Sequence, residues 1–167
     1  MKLLIAYASA SGSTSQIAQC IAETMGKQEH ITAEAKSVKE VKATEQYDAI
    51  ILGSAIRMGR PLKEMVTFAS KRATVLQTKK VAIFAVCMAP QNDNPESQKD
   101  ASTYLEPIKQ FVKPVSEKLF AGKIDPQKLK LFPRLVLKAV KAPTGDFRDW
   151  DGIKTWAKEL SVILQEV

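Results

Sequence analysis

The chain has few of the residues that staple or metallate small domains. It carries two cysteines, Cys20 and Cys87, and one histidine, His30, in 167 residues. The cysteines form no CxxC or metal-spaced pair, which argues against a structural zinc site and against a disulfide framework, and for a reducing compartment, predicted to be the cytoplasm. No apolar run approaches the roughly 18 residues that cross a bilayer. The opening MKLLIAYA lacks a basic n-region and passes into a helix-start signal, so it is predicted to be a first strand and not a signal peptide. Two nucleotide loops are missing as well, since neither GxxxxGK[ST] nor GxGxxG occurs. No internal repeat or low-complexity segment is present. A chain of this length suits one domain, 1–167, that buries roughly 70 % of its unfolded surface and needs no staple.

What is present alternates between two periods. LLIAYA (3–8), AIILGSA (49–55) and VAIFAVC (81–87) are unbroken apolar runs, as in strands covered on both faces. ITAEAKSV (31–38) and KLFAGKI (118–124) are more mixed, as edge strands would be. Between them the spacing predicts helices over 13–25, 62–75, 101–112 and 150–167. The first sets Ile17, Cys20, Ile21 and Met25 on one face and stops at Gly26. Strand and helix in alternation mean an α/β fold, and right-handed crossovers favour a five-stranded, doubly wound parallel sheet. APQNDNPESQKDAS (89–102) reads as a polar loop, and 126–143 as an insert before the last helix.

The net charge of +7 is unevenly placed. Residues 1–104 contribute +3, residues 105–141 contribute +6 and residues 142–167 contribute −2. The excess falls on QKLKLFPRLVLKAVK (127–141), where Lys130, Arg134, Lys138 and Lys141 share one helical face and Leu129, Phe132, Val136 and Val140 the other. Such a helix either lies on an anionic membrane surface or buries its apolar face on the domain and solvates its lysines. Nucleic acid is a poorer partner, because exposed aromatics are not interleaved with the charges and no binding motif occurs.

The stretch YASASGSTSQI (7–17) holds five hydroxyls between Ser9 and Ser15, where a turn needs one or two. In an open parallel sheet, ligands gather at the carboxyl ends of the strands near the switch point, which is where this stretch follows the first strand. It leads into a helix N-terminus, whose free amides and dipole favour a phosphate. One hydroxyl from Ser11, Ser13 or Thr14 is accounted for by an N-cap. The rest favour a phosphomonoester cradle that works without Lys or Arg.

These residues also carry a resemblance. Ser9-x-Ser11-Gly12-x-Thr14 resembles the flavodoxin phosphate loop, [ST]-x-[ST]-G-x-T, placed directly after the first strand. Tyr47-Asp48-Ala49-Ile50-Ile51-Leu52-Gly53-Ser54 is similar to that family's third strand. Phe120-Ala121-Gly122-Lys123 and Gly145-Asp146-Phe147-Arg148-Asp149-Trp150-Asp151 resemble the branch that includes menaquinone-dependent protoporphyrinogen oxidases. The resemblance implies a flavodoxin-like three-layer αβα sandwich with strand order 2-1-3-4-5 and a noncovalent FMN. It would place the FMN phosphate on Ser9, Ser11, Gly12, Ser13 and Thr14. The isoalloxazine would lie between Ser54-Ala55-Ile56-Arg57-Met58-Gly59 and Cys87-Met88-Ala89. Arg57 would then either tune the reduced flavin or be an exposed loop arginine, while Cys87 and Met88 would pack about the ring or the strand end.

Two departures stand against ordinary flavodoxins, which are usually acidic and cover the flavin with aromatic rings. This chain is basic and offers Ile56, Arg57, Met58 and Met88 there, leaving room for a flat organic substrate or a quinone. The expected function is a cytoplasmic FMN-dependent oxidoreductase, protoporphyrinogen-oxidase-like with a quinone acceptor, either touching the inner membrane face through 127–141 or packing that segment on the domain. The alternatives are a flavodoxin-type electron carrier docking acidic redox proteins, and a non-redox binding module. His30 receives no role, Trp150 and Trp156 are expected to pack in the core, and Asp146, Asp149 and Asp151 to cap the last helix.

Overall fold

Both faces of one parallel sheet are apolar, and helices cover each. The computed structural model describes residues 1–87, 103–124 and 145–165. In chain order its elements are β1 (Lys2–Ala8), α1 (Ser13–Met25), β2 (Thr32–Ser37), β3 (Ala49–Arg57), β4 (Arg60–Pro61), α2 (Lys63–Lys71) and α3 (Ala73–Leu76). There follow β5 (Lys80–Cys87), α4 (Glu106–Lys109), β6 (Ser116–Ala121), β7 (Lys123–Ile124), β8 (Gly145–Asp146) and α5 (Trp150–Gln165). Parallel pairing gives the order β2-β1-β3-β5-β6. With the short return strand β4 set aside, this is the expected 2-1-3-4-5 order, and the two mixed-composition strands are indeed the edges.

Side chains alternate across the sheet with period 2, so each central strand feeds two cores. Leu4 and Ala6 of β1, Ile50 and Leu52 of β3, and Ile83 and Ala85 of β5 face one side, packed against Met65 and Phe68 of α2 and Ile108 of α4. Leu3 and Ile5, Ile51, and Ala82 and Phe84 face the other, against Ile17 and Ile21 of α1 and Ile153 and Trp156 of α5. Phe84, Phe120 and Trp156 meet edge-on or tilted, with centroids 5.6 to 6.3 Å apart. Gly53, opposite Phe84 in the β3–β5 register, leaves room for that ring, because a Cβ there would fall 2.1 Å from Phe84 Cζ.

Several boundaries differ from those expected. The run at 49–55 continues to Arg57 and turns back through Met58-Gly59 into β4, pairing Arg57 with Arg60 and Ile56 with Pro61. The helix expected over 62–75 breaks at Arg72, whose φ of −109° is not helical. Beyond that break the β-branched Thr74 and Val75 favour the helix less, and only the short α3 forms. The strand expected over 118–124 ends at Ala121, and the chain passes through Gly122 into β7, which pairs antiparallel with β8. Of the helix expected over 101–112, residues 103–112 show α4 and a fragment at Thr103–Tyr104. Met88, Ala89, the polar loop at 89–102 and the basic insert at 126–143 lie outside the described residues. No helix among the described residues is long and apolar enough to cross a membrane.

Candidate cofactor site

The register puts Ala8, the last residue of β1, beside Ser54 of β3, and Ser54 beside Ala85 of β5. The phosphate-loop stretch, the end of β3 and the end of β5 therefore meet at the carboxyl edge of the sheet, where a doubly wound fold binds its ligands. From there the chain enters α1 through Gly12, at φ 94°, a left-handed conformation that glycine adopts without penalty. A Cβ built on Gly12 would meet nothing within 4 Å, so the space over the turn is open.

The hydroxyls divide into two groups. Ser9 Oγ accepts from the Gly12 amide at 3.1 Å, Ser15 Oγ donates to the Gly12 carbonyl at 2.7 Å, and Ser13 Oγ accepts from the Lys123 amide at 3.1 Å. Those three build the turn and tie it to the chain after β6. Ser11 is exposed, and Thr14 is buried at 1 % exposure; neither hydroxyl has a hydrogen-bond partner among the described residues. No side chain caps α1. The capping explanation for Ser11, Ser13 and Thr14 is thereby corrected, because Gly12 takes the cap position and the first-turn amides are left for an outside acceptor. An uncapped helix start, unused hydroxyls on Ser11 and Thr14 and open space above a glycine together fit a phosphate.

Two further contacts fix the turn. Arg148 donates to Gln16 Oε1 in α1 and, through Nε at 2.7 Å, to Asp146 Oδ1 in β8. Its guanidinium also lies 4.5 Å from the centroid of the Trp150 ring. The Arg148 side chain is 7 % exposed, and its pairing holds the Asp146 carboxyl below the ordinary 3.8. Asp146 thus serves the loop and not the helix cap expected of it. Asp149 does cap α5, accepting from the Gly152 amide at 2.9 Å. Trp156 is in the core as expected.

On the other flank, the buried Ser54 Oγ donates to the Ala55 carbonyl at 2.9 Å and accepts from the Leu62 amide at 3.0 Å. Its hydroxyl is spent on closing the β3–β4 hairpin. Met58 and Gly59 have φ of 51° and 73°, the signature of a two-residue type I′ turn. Ile56 is buried, whereas Arg57, Met58, Gly59 and Arg60 are exposed. Tyr104 supports the tip, its Cε1 3.6 Å from where a Cβ on Gly59 would sit. Cys87 ends β5 and accepts from the Gly122 amide through its carbonyl at 2.8 Å. Burial pushes its thiol up to about 11, so it stays protonated and is no nucleophile.

The sequence did not point to Arg60, Tyr104, Lys123 or the Gln16–Arg148 link. Met58-Gly59 between paired runs is a hairpin signal that could have exposed Arg60. The Lys123 and Arg148 contacts join residues more than 100 positions apart, and Tyr104 reaches Gly59 from a different element, so none left a local pattern. No group of three or more His, Cys, Asp or Glu residues among those described could hold a metal.

A doubly wound α/β sheet with a hydroxyl-rich, uncapped helix start at its switch point is the architecture of mononucleotide-binding proteins. The flavodoxin domain profile matches residues 4–151, and the chain belongs to that family. Membership implies FMN as the cofactor. A protoporphyrinogen IX dehydrogenase [quinone] of Escherichia coli strain K12 is 23 % identical, covering 96 % of this chain and 95 % of that protein. An archaeal flavodoxin superposes with a TM-score of 0.63 at 18 % identity, covering 99 % of this chain and all of the other. Flavodoxin 1 of Bacillus cereus superposes at 0.55 with 24 % identity, covering 86 % of this chain and all of the other.

Proposed function

We propose that this protein is an FMN-dependent oxidoreductase that takes electrons from a reduced, largely apolar organic ring system and passes them to a quinone. The observation that carries this reading is the flank at 55–60. Beside the phosphate cradle stands a fixed hairpin bearing Arg57, Met58 and Arg60 and no aromatic side chain to cover a flavin ring. The likeness to the E. coli quinone-dependent dehydrogenase, which runs through 96 % of this chain, supports both the substrate type and the acceptor.

Bound FMN would supply the redox chemistry. The chain's own residues hold and shape the site. Ser11 and Thr14 hydroxyls and the first-turn amides of α1 would take the phosphate, with Gly12 allowing close approach. Ser9 and Ser13 hold that turn in shape, and the hairpin and the Cys87 end of β5 would flank the ring. A protonated Cys87 keeps thiolate chemistry out of the site.

The test is turnover. Purified protein loaded with FMN is expected to oxidise protoporphyrinogen IX faster than its background rate when a menaquinone analogue is the acceptor. A flavin-loaded protein that leaves the background rate unchanged refutes the reading. A second reading, an electron carrier that docks acidic proteins, is favoured by Arg57, Arg60 and Lys63, which stand exposed without an ion pair among the described residues. It predicts flavin reduction and reoxidation by partner proteins with no organic turnover.

A further inference from the structure

The β3–β4 hairpin carries charges that the fold leaves unneutralised. Arg57 and Arg60 are directly opposite each other across the two-residue turn. Their side chains leave the same face of the ribbon, with Cβ atoms about 5 Å apart. Like charges in that position repel and weaken a ribbon. Both are exposed, and neither has an ion-pair or hydrogen-bonding side-chain partner among the described residues. Met58, between them, is fully exposed and held at a φ of 51°, which disfavours a residue with a Cβ. Repulsion, strain and an apolar side chain in water thus coincide on four residues, and such features collect where a ligand resolves them.

The ribbon is also rigid. Its base is closed by the Leu62 amide, which donates to Ser54 Oγ at 3.0 Å and to the Ala55 carbonyl at 3.2 Å. Ile56 and Pro61 are buried beneath it, and Tyr104 lies under Gly59. The backbone that carries the three side chains is therefore held in one place. They project beyond the carboxyl end of β3, at the mouth of the candidate cofactor site.

We propose that Arg57 and Arg60 form a clamp for the carboxylate groups of the organic substrate, with Met58 contacting its apolar body. The proposal rests on the oxidoreductase reading above and adds to it a specificity-determining residue, Arg60. A guanidinium offers two parallel donors that match a carboxylate, and two guanidiniums on one ribbon select an apolar ring system with anionic groups along its edge. An uncharged analogue of the same shape would gain the Met58 contact but not the clamp.

The experiment compares protoporphyrinogen IX, a dicarboxylic acid, with its dimethyl ester as substrates of the FMN-loaded full-length protein, with menadione as acceptor. Wild type is expected to favour the diacid. Arg60→Gln is expected to raise the KM for the diacid about tenfold while leaving kcat and the ester's KM within about twofold, the size of one lost charge-assisted hydrogen-bonded pair. Arg57→Gln/Arg60→Gln should abolish the preference, and FMN affinity of the Arg60→Gln protein should equal that of wild type. Equal handling of acid and ester by wild type and both variants would overturn the clamp and leave the oxidoreductase reading standing. No turnover of either compound by wild type would overturn that reading and the clamp with it. A double variant that keeps the diacid preference but no longer sediments with phosphatidylglycerol vesicles would assign the pair to a lipid surface, and the clamp would be wrong.

Discussion

Thr14 sits at the start of a helix whose first turn no side chain caps, and its hydroxyl has no partner among the described residues. A hydroxyl at a helix start with no partner in the chain is available to an acceptor that arrives from outside. Ser11 offers a second unused hydroxyl two residues before the helix begins. Ser9 and Ser13 differ, since their oxygens already accept from the Gly12 and Lys123 amides. Removing Ser11 and Thr14 together should therefore weaken FMN binding with little effect on the turn. The Ser11→Ala/Thr14→Ala variant is expected to lose about 1 to 3 kcal/mol of FMN affinity, read by quenching of flavin fluorescence. An unchanged dissociation constant would mean that the amides alone hold the phosphate. Ser13→Ala should instead loosen the tie between α1 and the chain after β6 and lower stability in the flavin-free protein.

The elements show what local sequence can and cannot specify. Strands β1, β3 and β5 were legible because both of their faces are buried, so each is an unbroken apolar run with no other stable placement. Helix α1 was legible from the spacing of Ile17, Ile21 and Met25, and the position of the hydroxyl-rich turn between β1 and α1 from its composition. Strand β4 was not, because Arg60 and Pro61 are only two residues and are held by the turn before them. Nor was the role of Ser13, which is set by the Lys123 amide 110 positions away. The β8 segment is the clearest non-local device, linking Asp146 through Arg148 to Gln16 at the start of α1. The Arg148 guanidinium lowers the Asp146 carboxyl from its ordinary 3.8, so the pair stabilises the folded state fully above that value. The contribution is lost as pH falls through the lowered folded value. Asp146→Asn leaves the little-exposed Arg148 without its carboxylate. With the Asp146 side chain itself 41 % exposed, the expected cost is about 1 to 2 kcal/mol at pH 7. Urea unfolding should show that deficit unchanged from pH 7 to 5 and shrinking below 3.8. A deficit that stays constant at low pH would remove the ion pair as its cause.

At the scale of the whole molecule, the site lies outside the cores. One core runs between the sheet and α2 and α4, the other between the sheet and α1 and α5, and each is filled by side chains of the protein itself. The cradle and the hairpin stand at the carboxyl edge, where Ser54, the one buried polar residue at the end of β3, is satisfied within the hairpin. FMN is therefore not needed to complete either core. The flavin-free chain is expected to unfold in one cooperative transition, with the near-UV signature of a packed Phe84–Phe120–Trp156 cluster. A ligand that binds only the folded state adds about 2.7 kcal/mol at a hundredfold excess over its dissociation constant, or roughly 5 to 10 °C in the unfolding midpoint for a chain of this size. The shift should follow the logarithm of the FMN concentration and should be smaller in Ser11→Ala/Thr14→Ala at the same concentration, because that variant alters the cradle and not the cores. Scanning calorimetry with and without FMN measures both quantities. A broad, uncooperative transition in the flavin-free protein would show that the cofactor completes the fold, and the separation between cores and site would then be wrong.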